Sequence, residues 1–210
     1  MKIRLNLGCG TRLIDGFINI DGAKSVWLVK LPLLKAALAF LGVRKAKVDN
    51  GLTKEIVYMH LPHGLMRFKA NSSDRIYSCH FIEHLNKDDA EILLSETFRI
   101  LDSKGVTRIV VPDAAIYCKK YLEDTNSAIR DARFTTEYRD HLFHSLSGGW
   151  HTNVLNSHLF FWDAPSLCAE LKRHGFINIT VCDFGKGVDP LMNAADNYEG
   201  WSLCVEATKP

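Results

Sequence analysis

The chain has 210 residues, of which 47% are apolar and 24% charged. These are ordinary globular values, and they exclude disorder and low-complexity architecture. Lys plus Arg number 26 and Asp plus Glu 24, and the resulting formal charge of +2 argues against a dedicated nucleic-acid binder, so no nucleic-acid partner is expected.

The length suits one domain spanning 1–210, with room for an insertion. The six cysteines are Cys9, Cys79, Cys118, Cys168, Cys182 and Cys204. None lies close enough to another for a CxxC pair or a zinc-knuckle spacing. The start, Met1-Lys2-Ile3-Arg4-Leu5, runs straight into an apolar alternation and has no signal-peptide h-region. A reducing cytoplasm is therefore the expected home.

In chain order, Ile3 to Leu7 reads as a buried strand ending in Gly8-Cys9-Gly10, and Phe17 to Asp21 as a second strand with an acidic end. Residues 24–48 are very apolar from Val26 to Leu41 and end in Arg44, Lys45 and Lys47. A membrane span needs about 20 uninterrupted apolar residues. Here Lys30, Pro32 and Lys35 break the run, and each central Lys would cost roughly 3 kcal/mol in a bilayer. The segment reads as an apolar helical insertion. It is either a core or lid helix, or an interfacial helix giving weak membrane or lipid contact at the inner face of the membrane.

Ile56 to Met59 is a third strand, Arg75 to Cys79 a fourth, and Val106 to Val111 a fifth, stopped by Pro112. Between the last two, Asn86 suits an N-cap, Asp88, Asp89 and Glu91 suit a helix start, and Gly105 suits its end. A later helix begins near Pro165 and stops at Gly175. Strands around Phe176 to Cys182 and Trp201 to Ala207 close the chain. Strands separated by helices imply an α/β fold with a mainly parallel sheet covered on both faces.

Three motifs carry chemistry. The first is Leu5-Asn6-Leu7-Gly8-Cys9-Gly10, where the lack of a Cβ lets the backbone approach a ligand at the carboxyl end of a strand. For a lone glycine pair a strain-relieving turn is the better account, and Leu13 stands where a dinucleotide fingerprint would have its third glycine. The second is Ile18-Asn19-Ile20-Asp21, whose terminal carboxylate can accept hydrogen bonds from both hydroxyls of a ribose, or simply end a strand in a turn. The third is Cys79-His80-Phe81-Ile82-Glu83-His84, which puts three polar groups just past an apolar strand. They could bind a metal, act as acid and base, or line a cofactor pocket. The pattern is HxxEH, not HExxH, and no third ligand stands out, so no metal is expected.

Taken together, these residues resemble the class I S-adenosylmethionine-dependent methyltransferases, and more narrowly the small bacterial ones encoded among surface-polysaccharide genes. The similar segments are 5–10, 16–21, Ser72 to Leu85, Phe98 to Gly105, Ile109 to Asp113, Leu171 to Ile179 and Ser202 to Ala207. Residues 24–55 and 184–200 match none of the family's segments. The resemblance implies a Rossmann-like three-layer sandwich with a seven-stranded sheet of order 3-2-1-4-5-7-6, strand 7 antiparallel. It implies S-adenosylmethionine as cofactor, with Gly8, Cys9 and Gly10 at its methionine part and Asp21 at its ribose. It also puts His60 at adenine, where the family usually has Asp, and His80 and Glu83 on the cofactor's far side. Two further departures are Met66-Arg67-Phe68 in place of a Pro-Phe pair and Ser103-Lys104 in place of Pro-Gly.

Methyl transfer needs an aligned acceptor, and for a hydroxyl acceptor a base suited to neutral pH, which points to histidine. The chain has nine. The resemblance picks out His158, five residues before Asp163, and His151 follows on the glycine loop Gly148-Gly149-Trp150. Trp150, Phe160, Phe161 and Trp162 read as core or as a sugar or lipid platform. The expected function is methyl transfer to a small-molecule or carrier-linked acceptor, with a saccharide hydroxyl preferred. The alternatives are a methyltransferase-like binding protein without activity and, behind it, a nicotinamide-dependent oxidoreductase.

Overall fold

The structure, a computed structural model, describes residues 2–23, 55–131 and 158–210. Seven strands form one sheet: β1 (Ile3–Leu7), β2 (Ile18–Asp21), β3 (Ile56–Tyr58), β4 (Ser73–Cys79), β5 (Leu101–Pro112), β6 (Ile177–Cys182) and β7 (Ser202–Thr208). Their order is β3-β2-β1-β4-β5-β7-β6. β1 to β5 pair in parallel, and β7 runs antiparallel to both β5 and β6. This Rossmann-like arrangement is the one the resemblance implies. Four α-helices accompany the sheet among the described residues: α1 (Lys87–Ile100), α2 (Ala114–Asp131), α3 (Ala164–Arg173) and α4 (Pro190–Ala194).

The two-residue period of the strands sends alternate side chains to opposite faces. Leu5, Leu7, Ile20, Ile76, Ile109 and Val111 meet Leu93 and Leu94 of α1 and Leu167 and Leu171 of α3 on one face. Tyr77, Val106, Val110 and Cys204 meet Ile14, Phe17 and Met192 on the other. Each fully buried Leu or Ile contributes about 1.5–3 kcal/mol, so both faces are anchored by apolar burial. None of the six cysteines is in a disulfide. Among the described residues no helix is long and apolar enough to cross a membrane. The apolar insertion at 24–48 lies outside them.

Asn86 caps α1 as expected, its Oδ1 accepting from the Asp89 backbone N–H at 2.8 Å. The end of α1 differs. Gly105 does not terminate the helix; it lies inside β5, which starts five residues before the expected Val106, at Leu101. The carbonyls at the helix end are satisfied from elsewhere. Asn71 and Ser72 donate to the Arg99 and Ile100 carbonyls at 3.0 and 2.8 Å. Lys209 Nζ donates to that of Leu101 at 2.7 Å. The tight turn that follows has Lys104 at φ +63°. It needs a glycine at 105 because a Cβ there would come 2.9 Å from the Asp102 carbonyl oxygen. The later helix is as read, with an Asp163–Ser166 capping box at its start and Gly175 at φ +94° just past its end.

The segment between β6 and β7, which matched no motif, is tied to the sheet by charge. Arg108 of β5 is fully buried. Its Nε donates to Asp196 Oδ1 at 2.9 Å and its Nη1 to Glu206 Oε1 and the Lys186 carbonyl, each at 3.0 Å. Nη2 pairs with Asp196 Oδ2. Burial works against the guanidinium charge, but the Asp196 and Glu206 carboxylates together outweigh it and raise the pKa above the ordinary Arg value.

Candidate functional site at the strand tips

The carboxyl ends of β1 and β2 meet through Asp21. Gly10 N–H donates to Asp21 Oδ2 at 2.8 Å, and Ala23 N–H to Oδ1 at 2.6 Å. Among the described residues each oxygen accepts one backbone N–H, where a carboxylate offers about four acceptor sites in all. Gly8 and Gly10 have φ of +65° and +53°. Their roles separate clearly. A Cβ on Gly8 would lie 2.2 Å from Phe81 Cγ, so Gly8 lets the turn after β4 close onto the β1 loop. Among the described residues a Cβ on Gly10 would meet nothing within 4 Å, so none of them blocks this backbone from a ligand. Cys9 packs its side chain against Ile56 and Leu13. Burial, then the Asp21 charge, pushes its thiol up to about 12. The thiol is therefore protonated at neutral pH and inert, and only the Cys9 backbone is available to a ligand.

Sequence reasoning passed over Asn6 and Asn19, which fix this edge. Asn6 Nδ2 donates to Asn19 Oδ1 at 2.8 Å across the β1–β2 register, and Ile14 N–H donates to the same oxygen at 2.9 Å. The signal was an amide inside each of two apolar strands, Leu5-Asn6-Leu7 and Ile18-Asn19-Ile20. Past β3, Met59 N–H donates to the Asp21 carbonyl at 3.1 Å, which sets His60 beside Asp21. His60 is exposed, with its ring parallel to that of His63 at 6.1 Å.

At the tip of β4, His80 takes φ +51° and its N–H donates to the Val110 carbonyl at 2.8 Å. Its Nε2 lies 2.9 Å from Ser202 Oγ. That hydroxyl donates to the Asn197 carbonyl at 2.7 Å, which leaves His80 Nε2 as the donor. His80 Nδ1 faces Glu83 Oε1 at 3.3 Å. Glu83 itself is 1% exposed and sits in the short turn Ile82–His84. Its carbonyl accepts from Leu159 and Phe160 N–H at 2.7 and 3.2 Å. Those two bonds bring His158 to the turn, where its ring meets that of His84 edge-on at 4.8 Å. His151 and Trp150 lie outside the described residues. Of the aromatic group, Trp162 is core and Phe160 packs on it, while Phe161 is exposed.

Residues 5–109, half the chain, match the family model of a methyltransferase domain. The chain belongs to this methyltransferase family. A SAM-dependent methyltransferase from Archaeoglobus fulgidus superposes on it with a TM-score of 0.55 at 13% identity, covering 99% of this chain and 86% of that one. A SAM-dependent methyltransferase from Thermotoga maritima does so with a TM-score of 0.50 at 16% identity, covering 100% and 83%. At these identities the likeness is one of fold. No curated protein matches the chain. The methyltransferase's strand order, with β7 inserted antiparallel between β5 and β6, also differs from the 3-2-1-4-5-6 order of dinucleotide-binding dehydrogenases, so the fold lends the oxidoreductase alternative no support. The chain is thus assigned as an S-adenosylmethionine-dependent methyltransferase.

Proposed function

We propose that this methyltransferase transfers the methyl group to a hydroxyl of a saccharide, free or carrier-linked, and that the tips of β1 to β4 hold the cofactor. The observation that carries the reading is the Gly10–Asp21 link of 2.8 Å, which joins an open backbone position and a nearly buried carboxylate at one sheet edge. The residues fit a nucleoside bearing a charged amino-acid tail. Asp21 has lone pairs for two ribose hydroxyls, the backbone of Gly8, Cys9 and Gly10 takes the methionine part, and His60 offers a flat exposed ring to adenine. A neutral His60 has one ring nitrogen free to accept from the adenine amine. His80 and Glu83 form the far wall.

When bound, the cofactor supplies a methyl group activated on a sulfonium, so the protein's work is alignment and exclusion of water. A hydroxyl acceptor is favoured by the histidines gathered at the turn after β4, with His158 taking part in the loss of the hydroxyl proton. The saccharide assignment rests on the resemblance to enzymes of surface-polysaccharide gene clusters. Its test is incubation with methyl-tritiated S-adenosylmethionine and a panel of nucleotide- and lipid-linked sugars. Label recovered as an alkali-stable methyl ether on a sugar supports the reading. Label found only on amines or carboxylates, with sugars unlabelled, overturns it.

A further inference from the structure

The turn after β4 and the chain at 158–160 place three metal-ligating side chains together. The ligand atoms of Glu83, His84 and His158 all lie within 4.8 Å of one another. Around an ion bound at about 2.0–2.1 Å, tetrahedral ligand atoms stand roughly 3.3 Å apart, so side-chain rotations alone could close the set. We propose that Glu83, His84 and His158 form a binding site for a divalent transition-metal ion beside the cofactor edge.

Two observations carry this beyond mere proximity. Glu83 is buried, and among the described residues neither carboxylate oxygen has a hydrogen-bond partner; His80 Nδ1 lies 3.3 Å from Oε1. A buried carboxylate without donors is costly, and a cation beside it removes that cost. The second is construction. The Glu83 carbonyl binds the Leu159 and Phe160 N–H groups, so the backbone itself fastens His158 to the turn that carries the other two groups.

Two imidazoles and one carboxylate select zinc, cobalt, manganese or iron over magnesium and calcium, which prefer all-oxygen shells. Three protein ligands leave a coordination position for an oxygen donor. The site abuts the cofactor loop, because Phe81 of the same turn packs on Gly8. Its use in gripping the acceptor hydroxyl, which would then lose its proton more readily, rests on the proposed function; the ion site itself does not. In that role His158 serves as a ligand.

The probe is cobalt(II) titrated into the chelator-stripped full chain. One equivalent is expected to bind, with visible ligand-field bands and no thiolate charge-transfer band. His84→Ala, His158→Ala and Glu83→Gln should each weaken binding at least about tenfold, the low end of what even outer partners contribute. His174→Gln should leave it unchanged. Should the variants fail to fold, copper(II) paramagnetic resonance on the unaltered chain decides, with coupling to two imidazole nitrogens expected. No stoichiometric binding, a thiolate band, or coupling to no imidazole overturns the site. Calorimetry of S-adenosylhomocysteine on the metal-free chain separates that failure from a failure of the methyltransferase reading.

Discussion

The buried charge cluster around Arg108 of β5 and the buried Glu83 in the turn after β4 are built differently. Around Arg108, all three guanidinium nitrogens donate, Asp196 also accepts from Tyr77 Oη at 3.2 Å and Gly185 N–H at 2.9 Å, and Glu206 from Val188 N–H. Around Glu83, among the described residues, the carboxylate has only the His80 ring within ion-pair range. Desolvating a charge costs several kcal/mol unless its partners are complete. The Arg108 group meets that condition and acts as a staple for the chain between β6 and β7. Among the described residues the Glu83 group does not, and this is the gap the proposed ion site would fill.

The largest expected effect breaks the first group. Arg108→Ala leaves two buried carboxylates without a cation and should lower unfolding free energy by about 3–5 kcal/mol in urea denaturation. Glu83→Gln removes a buried charge that has no hydrogen-bond partner among the described residues and should not lower it. Equal losses in the two variants would erase the distinction.

Asp21→Ala comes next, and it sharpens what an incomplete group is for. Hydrogen bonds to a charged acceptor contribute about 1.5–3 kcal/mol, so S-adenosylhomocysteine affinity measured by calorimetry should fall roughly ten- to a hundredfold. The glycines then test the loop between these regions. Gly10→Ala should cost only the left-handed backbone, about 1–2 kcal/mol. Gly8→Ala adds the collision with Phe81, roughly 1–3 kcal/mol more, so thermal melting should rank it clearly lower.

The smallest effect is one of pH. Burial, then Arg173, lowers the His174 pKa from 6.5. The folded chain therefore binds fewer protons than the unfolded chain between that lowered value and 6.5, so stability falls as pH drops through this window. His174→Gln should flatten the dependence of the melting temperature on pH over that range.

The Gly10–Asp21 edge was legible because its signals are local. Glycines at the end of an apolar strand and an acid at the end of the next can be read within a short stretch, and Asp21 and Gly10 do meet. The turn 80–84 was legible as a polar cluster, but its third histidine was not legible as a neighbour. His158 arrives through backbone bonds from Leu159 and Phe160 to Glu83, which no spacing rule encodes. The Arg108 staple was hidden for the same reason, since Asp196 lies 88 residues further on. Its trace in the sequence was a single charge inside Val106-Thr107-Arg108-Ile109. Gly105 misled because a glycine after a helical period signals a helix end, whereas Lys209 and the 71–72 backbone had already satisfied that end. α2 was missed although Asp113 Oδ1 accepts from Ala115 N–H at 2.9 Å, a capping signal of the kind recognised at Asn86.

A crystal of the chain grown with S-adenosylhomocysteine tests the central claim most directly. The ribose hydroxyls should lie within hydrogen-bond distance of the Asp21 carboxylate, with the amino-acid tail along Gly8 to Gly10. A nucleoside bound elsewhere, with Asp21 touching only Gly10 and Ala23, would contradict the account.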